Sequence, residues 1–171
     1  MSGVPALATI AVGVIVARRK AQNPWIDFTW KPVSVLVGLP EALPWMLLSQ
    51  GPEEATFYAG PAEIGLYRTE TGNYRDNLTS GEPKLWVALR PSGTQPPYEI
   101  FTVTADPAEG EALSETGSDL VDVVAMPDSV RAQIEEFIAQ HHVERPFYKR
   151  QRDRADPEAL ARQGPMRKQQ G

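Results

Sequence analysis

The sequence contains no cysteine, only two histidines and none of the glycine-rich loops that bind phosphate. The absence of cysteine excludes disulfides, thiolate nucleophiles and cysteine-ligated zinc or iron–sulfur centres. Neither GxGxxG nor GxxxxGK[ST] occurs, which argues against nucleotide chemistry, and no GxSxG motif marks a serine nucleophile. The sequence therefore predicts no cofactor and favours a protein that acts by binding over an enzyme.

Metal ligands are equally scarce. His141 and His142 are adjacent in the sequence, so on a helix their side chains would point about 100° apart and could not easily share one metal. We expect His141 on the packed face of a helix and His142 at its C-terminus. Eleven acidic residues lie within residues 99–144 against the single base Arg131, but they lack the ligand spacing of a calcium site. They predict a solvated acidic face or a surface for a basic partner.

No hydrophobic run is long enough to cross a membrane. Residues 4–17 form an apolar stretch of 14 residues, whereas a spanning helix needs about 20. The basic residues Arg18, Arg19 and Lys20 follow this stretch, whereas those of a signal peptide precede its apolar core. Residues 9–16 are rich in β-branched side chains, which favours a buried strand. We therefore predict a cytoplasmic protein without a membrane span.

The charge is distributed unevenly along the chain. Residues 1–144 carry 9 Lys and Arg against 19 Asp and Glu, whereas residues 145–171 carry 8 against 3. An acidic body argues against a nucleic-acid-binding surface on the folded part. Because residues 149–171 contain only Leu160 and Met166 as large apolar residues, we predict one globular domain over residues 1–148 and a basic disordered tail over 149–171.

Seven β-prone runs are separated by clusters of glycine and proline. They cover residues 9–16, 25–37, 55–59, 63–69, 85–89, 99–104 and 120–124. Their boundaries include Gly51-Pro52, Thr71-Gly72-Asn73 and Pro91-Ser92-Gly93, and Pro32 should occupy a bulge or an edge. The pattern predicts a mainly β, α+β fold: a twisted antiparallel barrel or sandwich of about seven strands.

One segment has the pattern of an amphipathic helix. In residues 128–142, Val130, Ile134, Phe137 and Ile138 fall on one stripe, and Asp128 or Ser129 could cap the first turn. This C-terminal helix should close the barrel. Residues 43–48 could form a short helix or a turn, and residues 107–114 a helical turn that starts at Asp106.

Aromatic residues supply the candidate partner-binding site. Trp25 and Trp30 stand close together in the sequence, and clustered Trp and Tyr near Arg is typical of binding hot spots. The alternative interpretation of these aromatic residues is that they form layers of the core. The candidate residues for partner binding are Trp25, Trp30, Tyr74, Arg75, Arg150, Arg152 and Arg154.

Several strings together resemble an uncharacterised proteobacterial domain-of-unknown-function family. They begin with Val14-Ile15-Val16-Ala17-Arg18-Arg19, Asn23-Pro24-Trp25 and Trp30-Lys31-Pro32-Val33-Ser34-Val35. They continue through Phe57-Tyr58-Ala59-Gly60, Tyr74-Arg75-Asp76-Asn77-Leu78, Leu85-Trp86-Val87-Ala88-Leu89-Arg90, Val103-Thr104-Ala105-Asp106-Pro107, Val124-Ala125-Met126-Pro127 and Phe147-Tyr148-Lys149-Arg150. The likeness spans about residues 10–150.

The genes of the family that the chain resembles tend to lie beside genes of molybdenum-dependent formate dehydrogenase. The resemblance therefore implies a non-catalytic accessory or assembly protein that binds a dehydrogenase subunit or maturation factor. One alternative is a small enzyme with a polar cleft formed by Tyr74, Arg75, Asp76, Asn77 and His141. Another is a pleckstrin-like binding module, which also combines about seven strands with one helix.

Overall fold

The computed structural model of the chain describes residues 5–38 and 40–142. Its strands are β1 (Ala8–Lys20), β2 (Phe28–Val37), β3 (Met46–Gln50), β4 (Glu54–Leu66), β5 (Lys84–Pro91), β6 (Tyr98–Thr104) and β7 (Leu120–Ala125). Its helices are α1 (Thr71–Leu78), α2 (Pro107–Glu115) and α3 (Asp128–His141), with a short 3-10 turn, Arg68–Glu70, before α1. None of these three helices has the length and apolar content needed to cross a bilayer.

The seven strands form one nearly closed, barrel-shaped sheet, which confirms the mainly β prediction. Its order is β2-β1-β4-β6-β5-β7, and β3 pairs with β4 beside this path. The ladders are antiparallel except between β4 and β6, which run parallel and meet at the single pair Ile64 and Val103. The first and last strands of the order, β2 and β7, lie side by side and complete the circumference.

Strand β1 shows how the alternating pattern builds the barrel. Val12, Val14 and Val16 are buried and face the interior, because successive side chains of a strand point to opposite faces. The register places Pro32 opposite Val16 while Ser34 lies opposite Ile15, so Val33 is the extra residue of a bulge. The prediction that Pro32 lies at a bulge or an edge is confirmed, since β2 is also a terminal strand of the sheet.

Helices α1 and α3 cover one end of the barrel. Val130, Ile134 and Phe137 of α3 are buried in the core, as the stripe predicted, and Ile138 packs beside them. The ring of Tyr74 on α1 meets Phe137 edge-on with 6.3 Å between centroids. The predicted cap is wrong, because Asp128 and Ser129 are already helical. Pro127 holds the N-cap position, where no side-chain hydrogen bond is made.

Helix α2 lies on the outer face of the barrel, against β5, β6 and β7. Asp106 caps it by accepting hydrogen bonds from the backbone N–H groups of Ala108, at 2.9 Å, and Glu109, at 3.4 Å, as predicted. Gly110 rests against the indole of Trp86, since a Cβ atom added at this glycine would lie 2.3 Å from the ring.

Three predictions about secondary structure need correction. Residues 43–48 do not form a helix: the alternative, a turn, is present at Pro44 and Trp45 and is closed by the Met46 N–H donating to the Leu43 carbonyl at 3.1 Å, and strand β3 begins at Met46. Thr71-Gly72-Asn73 does not form a turn but opens α1, which the packing of Tyr74 and Leu78 stabilises. Residues 55–59 and 63–69 do not form two strands, because β4 runs continuously from Glu54 to Leu66. The predicted tail, 149–171, lies outside the described residues.

Candidate functional site

The strand register distinguishes two ends of the barrel. Helices α1 and α3 lie at the end where β1 starts and β4 finishes. The opposite end contains the last residues of β1, the first of β2 and β4, and the first of β6. We call this second end the aromatic end and define it by the rings of Phe28, Trp30, Trp45, Phe57 and Tyr98.

Trp30 is the centre of the aromatic end. Its ring meets Trp45 nearly at right angles, with 5.9 Å between centroids, and lies 5.9 Å from Phe57 and 6.4 Å from Tyr98. Edge-on and tilted pairs at these separations are the favourable arrangements of aromatic rings. Trp30, Trp45 and Tyr98 pack against the core yet remain partly exposed. The cluster therefore closes the barrel while leaving ring surface accessible.

Trp45 is held in an unusual backbone conformation. Its φ angle of 68° is the only positive value among the non-glycine residues that the structure describes. A bulky residue in this left-handed region costs roughly 1 to 3 kcal/mol and is maintained only by its surroundings. The backbone N–H of Trp45 donates to the carbonyl of Tyr58, and its ring contacts Trp30 and Phe57. The indole is thus fixed in the cluster by contacts on both backbone and ring.

Arg18 places a cation among these rings. Its guanidinium carbon lies 4.3 Å from the centre of the Phe28 ring, 5.2 Å from that of Phe57 and 5.9 Å from that of Trp30. The side chain points inward because Arg18 continues the face of Val12, Val14 and Val16 and pairs with Trp30. Within residues 5–38 and 40–142, no carboxylate forms an ion pair with it.

Exposed apolar side chains surround the aromatic end. Trp25, in the loop before β2, is 89% exposed, and Phe28 is 37% exposed. Every residue of β3 is exposed, including Met46, Leu47 and Leu48. Isolated exposed apolar residues are common on soluble proteins, whereas a contiguous group of them marks an interaction site.

Basic residues are concentrated in the strands of this end. Arg18, Arg19, Lys20 and Lys31 are four of the nine basic residues in residues 1–144. Arg19 pairs with Glu54 at 3.3 Å, and Lys31 lies 3.9 Å from Asp122, both on the exposed surface. Lys20 shares the face of Arg18 and lies opposite Phe28. Asp27, Glu53 and Glu54 lie at the same end, so the basic residues of the aromatic end are interspersed with acidic ones.

The candidate residues on α1 have a different environment. Tyr74 is 1% exposed, and its hydroxyl accepts a hydrogen bond from the backbone N–H of Tyr67 at 2.9 Å. Burial, with a smaller contribution from the nearby Asp106 carboxylate, raises the pKa of Tyr74 far above its usual value. Its ring belongs to the core and offers no accessible surface to a partner.

Asn77 also has a structural position. It is buried, its amide N–H groups donate to the carbonyls of Lys84 and Ala105, and its side-chain oxygen accepts from the N–H of Lys84. It thereby fixes the start of β5 against the end of β6. Arg75 and Asp76 are exposed on the other face of α1, and Arg75 has its own contacts. The four polar residues from Tyr74 to Asn77 therefore do not converge on one cleft.

The two histidines stabilise the C-terminal turn of α3. The ring of His141 lies 4.6 Å from that of Phe137, as expected for the packed face of the helix. His142 ends the helix, and its Nδ1 is 2.7 Å from the hydroxyl of Thr71 on α1. His141 also lines a shallow groove of about 250 Å³ between α3 and β1, whose other walls include Ile10, Leu66 and Phe137.

A second cavity, of about 210 Å³, lies near the parallel pairing of β4 and β6. Glu63, Glu109 and Tyr67 contribute polar groups to its wall. Glu109 is already engaged, because it accepts a hydrogen bond from Thr104 at 2.6 Å. Among the described residues, no group of three or more His, Asp or Glu side chains has a metal-binding arrangement.

Of the predicted site residues, the structure places Trp30 at the centre of the aromatic end and Trp25 in the loop between β1 and β2, at the same end of the barrel. Arg150, Arg152 and Arg154 lie outside the described residues. Sequence reasoning missed Arg18, Phe57 and Tyr98 as members of the site. The sequence signal for Arg18 was weak. Arg18 follows Val12, Val14 and Val16 on the inward face of β1, but its contact with Phe57 depends on the pairing of β1 with β4, which the sequence does not reveal.

Comparison with known proteins identifies a domain of unknown function over most of the chain. No curated protein and no solved structure matches the chain. Residues 11–151 match the model of a family described as a protein of unknown function, DUF3305. Because this match covers most of the chain, the protein belongs to the DUF3305 family.

Proposed function

We propose that this protein is a non-catalytic accessory or assembly factor that binds another protein through its aromatic end. The observation that carries the proposal is Trp25, which is 89% exposed beside a cluster of partly exposed rings. Large aromatic side chains near arginine supply most of the affinity at many protein interfaces. The proposed partner is a subunit or maturation factor of molybdenum-dependent formate dehydrogenase. That part rests on the gene neighbourhood of the family that the sequence resembles.

The organisation of the aromatic end suits a binding role. Hot spots are typically central aromatic residues surrounded by side chains that exclude water. Trp30 occupies the central position here, while Trp25 and the apolar residues of β3 lie around it. Covering these side chains would remove apolar area from water, which favours association by about 25 cal/mol per Å² before the costs of binding.

The enzyme alternative required Asp76 or His141 to lie in a deep pocket with converging polar groups. Asp76 is exposed, and His141 borders a shallow groove that is largely apolar. No observation on the described residues favours that alternative. The pleckstrin-like alternative also combines about seven strands with a helix, but the acidic body weakens the phosphoinositide binding that such modules usually perform.

The test is an affinity purification of the tagged full chain from cells that produce a molybdenum-dependent formate dehydrogenase. We expect dehydrogenase subunits or a maturation factor in the recovered fraction, identified by mass spectrometry together with its molybdenum content. Trp25→Ala should reduce the recovery, since truncation of an aromatic anchor costs about 2 kcal/mol or more. Leu7→Ala is the matched control, because Leu7 is 54% exposed beside the start of β1, at the opposite end of the barrel. Failure to recover any dehydrogenase component in low salt would contradict the proposed partner.

We further propose that the basic C-terminal segment contributes to partner binding through its charge, an effect that can be measured separately from that of the aromatic residues. Charges at the edge of an interface mainly change the association rate and its dependence on salt. Neutralising Arg150, Arg152 and Arg154 should therefore weaken the salt dependence of association more than it raises the dissociation rate. A larger effect on dissociation would instead place these residues among the affinity-determining contacts.

A further inference from the structure

We propose that the aromatic end recognises a protein segment in which Asp or Glu stands next to an apolar or aromatic residue, with Arg18 as the partner of the carboxylate. This inference rests on the proposed function only in its assumption of protein binding. It does not depend on the identity of the partner as a dehydrogenase component.

The first argument is the unused hydrogen-bonding capacity of Arg18. A guanidinium presents several N–H donors in a planar fork that matches a carboxylate. Phe28 and Phe57 contact this guanidinium by their rings, and rings supply no acceptor of ordinary strength. Among residues 5–38 and 40–142, no side chain or carbonyl accepts a hydrogen bond from the Arg18 guanidinium, and no carboxylate pairs with it. An incoming carboxylate would fill this capacity.

The second argument is preorganisation. Arg18 lies near the end of strand β1, where it is paired with Trp30 on one side and Ala55 on the other, and its guanidinium is held over the Phe28 ring at 4.3 Å. A side chain that is already restrained loses less entropy when a ligand binds. This separates Arg18 from Arg19, which extends on the outer face and already pairs with Glu54.

The third argument is the apolar surface beside the cation. Leu47 lies opposite Phe57 in the β3–β4 ladder and is 47% exposed, so it shares a face with the ring that Arg18 contacts. Phe28 adds a partly exposed ring on the other side of the guanidinium. A ligand that satisfied Arg18 alone would leave this apolar area in water. The surface therefore fits an acidic residue that has an apolar neighbour.

A protein segment suits this site better than a nucleic acid or an anionic membrane. Residues 1–144 carry ten more acidic than basic side chains, so an extended polyanion is repelled by most of the body. A short segment feels mainly the charges within about 8 Å, the screening length at physiological salt. At this range, Arg18 offers a cation that has no carboxylate partner among residues 5–38 and 40–142.

The test is selection of peptides from a random displayed library by the full chain and, in parallel, by Arg18→Gln. We expect the natural sequence to enrich peptides with Asp or Glu adjacent to Trp, Phe, Leu or Met. Synthetic copies of the enriched peptides should bind Arg18→Gln about tenfold or more weakly, because a charge-assisted contact is lost. Arg18→Lys should retain part of the affinity, since it keeps the charge but not the planar fork. Leu7→Ala should bind the peptides unchanged.

Three results would overturn the inference. They are the absence of enriched peptides, enrichment of basic or uncharged peptides, and equal binding of acidic peptides by Arg18→Gln. Binding of phosphatidylserine vesicles or single-stranded DNA that exceeds peptide binding and depends on Arg18 would assign the site to another ligand class. Circular dichroism and urea unfolding of each variant separate loss of binding from loss of folding. Peptide recognition without recovery of a dehydrogenase would contradict the proposed partner and leave this inference intact.

Discussion

The two ends of the barrel contain similar residues in different environments. We call the end that α1 and α3 cover the helical end, in contrast to the aromatic end. At the helical end, Tyr74 and Phe137 are almost fully buried, and the polar atoms of Asn77 are paired with backbone groups. At the aromatic end, Trp30 and Phe57 remain partly exposed, and Arg18 contacts rings instead of carboxylates. The contrast supports our proposal that the helical end contributes mainly to stability and the aromatic end to partner binding. Variants at each end can test this division.

The largest expected effect is at the helical end. Phe137→Ala should lower the free energy of unfolding by about 3 to 5 kcal/mol, because it removes a ring that is 4% exposed and leaves a cavity beside Tyr74. Urea unfolding followed by circular dichroism measures the change. A loss below about 1 kcal/mol would show that α3 is not firmly docked.

A smaller loss is expected where α2 packs on the barrel. Gly110→Ala would place a Cβ atom 2.3 Å from the Trp86 ring, so the helix or the ring must move, at a cost of about 1 to 3 kcal/mol. Gly72→Ala is the control in α1, where a Cβ atom would meet nothing within 4 Å. This control should be neutral or stabilising by up to about 1 kcal/mol. Equal effects of the two variants in thermal unfolding would contradict the close packing of Gly110.

Alkaline titration tests the burial of Tyr74 at the end of the barrel that α1 and α3 cover. Because the pKa of buried Tyr74 is raised above its ordinary value of 10.0, the unfolded chain releases this proton first. The stability that protonated Tyr74 contributes should therefore be fully present below about pH 10. It should decrease as the pH rises further. Tyr74→Phe should remove that part of the slope while costing about 1 kcal/mol at neutral pH through the lost acceptor for Tyr67.

The smallest effect on folding is expected for Trp25→Ala. Since this side chain is 89% exposed, the free energy of unfolding should change by less than about 0.5 kcal/mol. The same variant is expected to weaken partner recovery, so stability and binding would separate at this residue. A destabilisation above about 1 kcal/mol would mean that Trp25 packs in solution and would weaken the assignment of the aromatic end to binding.

The sequence predicted the elements whose burial follows a simple period. The β-branched run of residues 9–16 indicated β1, in which Val12, Val14 and Val16 are buried, and the helical spacing of Val130, Ile134 and Phe137 indicated α3. Strand β3 carries no such signal, because all five of its residues are exposed. In α1, the turn-forming residues Gly72 and Asn73 suggested the opposite structure, and tertiary packing overrode their local preference.

The candidate site was predictable only in its local part. Trp25 and Trp30 stand close enough in the sequence to be noticed together. Tyr98 contacts Trp30 only because the start of β6 and the start of β2 lie at the same end of the barrel. The two residues are far apart in the sequence, so no local pattern could predict this contact. The role of Arg18 likewise depends on register, since a shift by one residue would have turned it to the outer face.

Pro32 has a consequence beyond the bulge that it occupies. Strands β2 and β7 are the terminal strands of the sheet, and such strands can template pairing with other chains. Pro32 has no N–H group to offer an incoming strand, and the neighbouring Lys31 carries a charge that faces Asp122. The place where the barrel closes is thus protected from edge-to-edge aggregation. The chain can therefore expose tryptophan and leucine side chains near the aromatic end without also presenting a free strand edge with which another chain could pair.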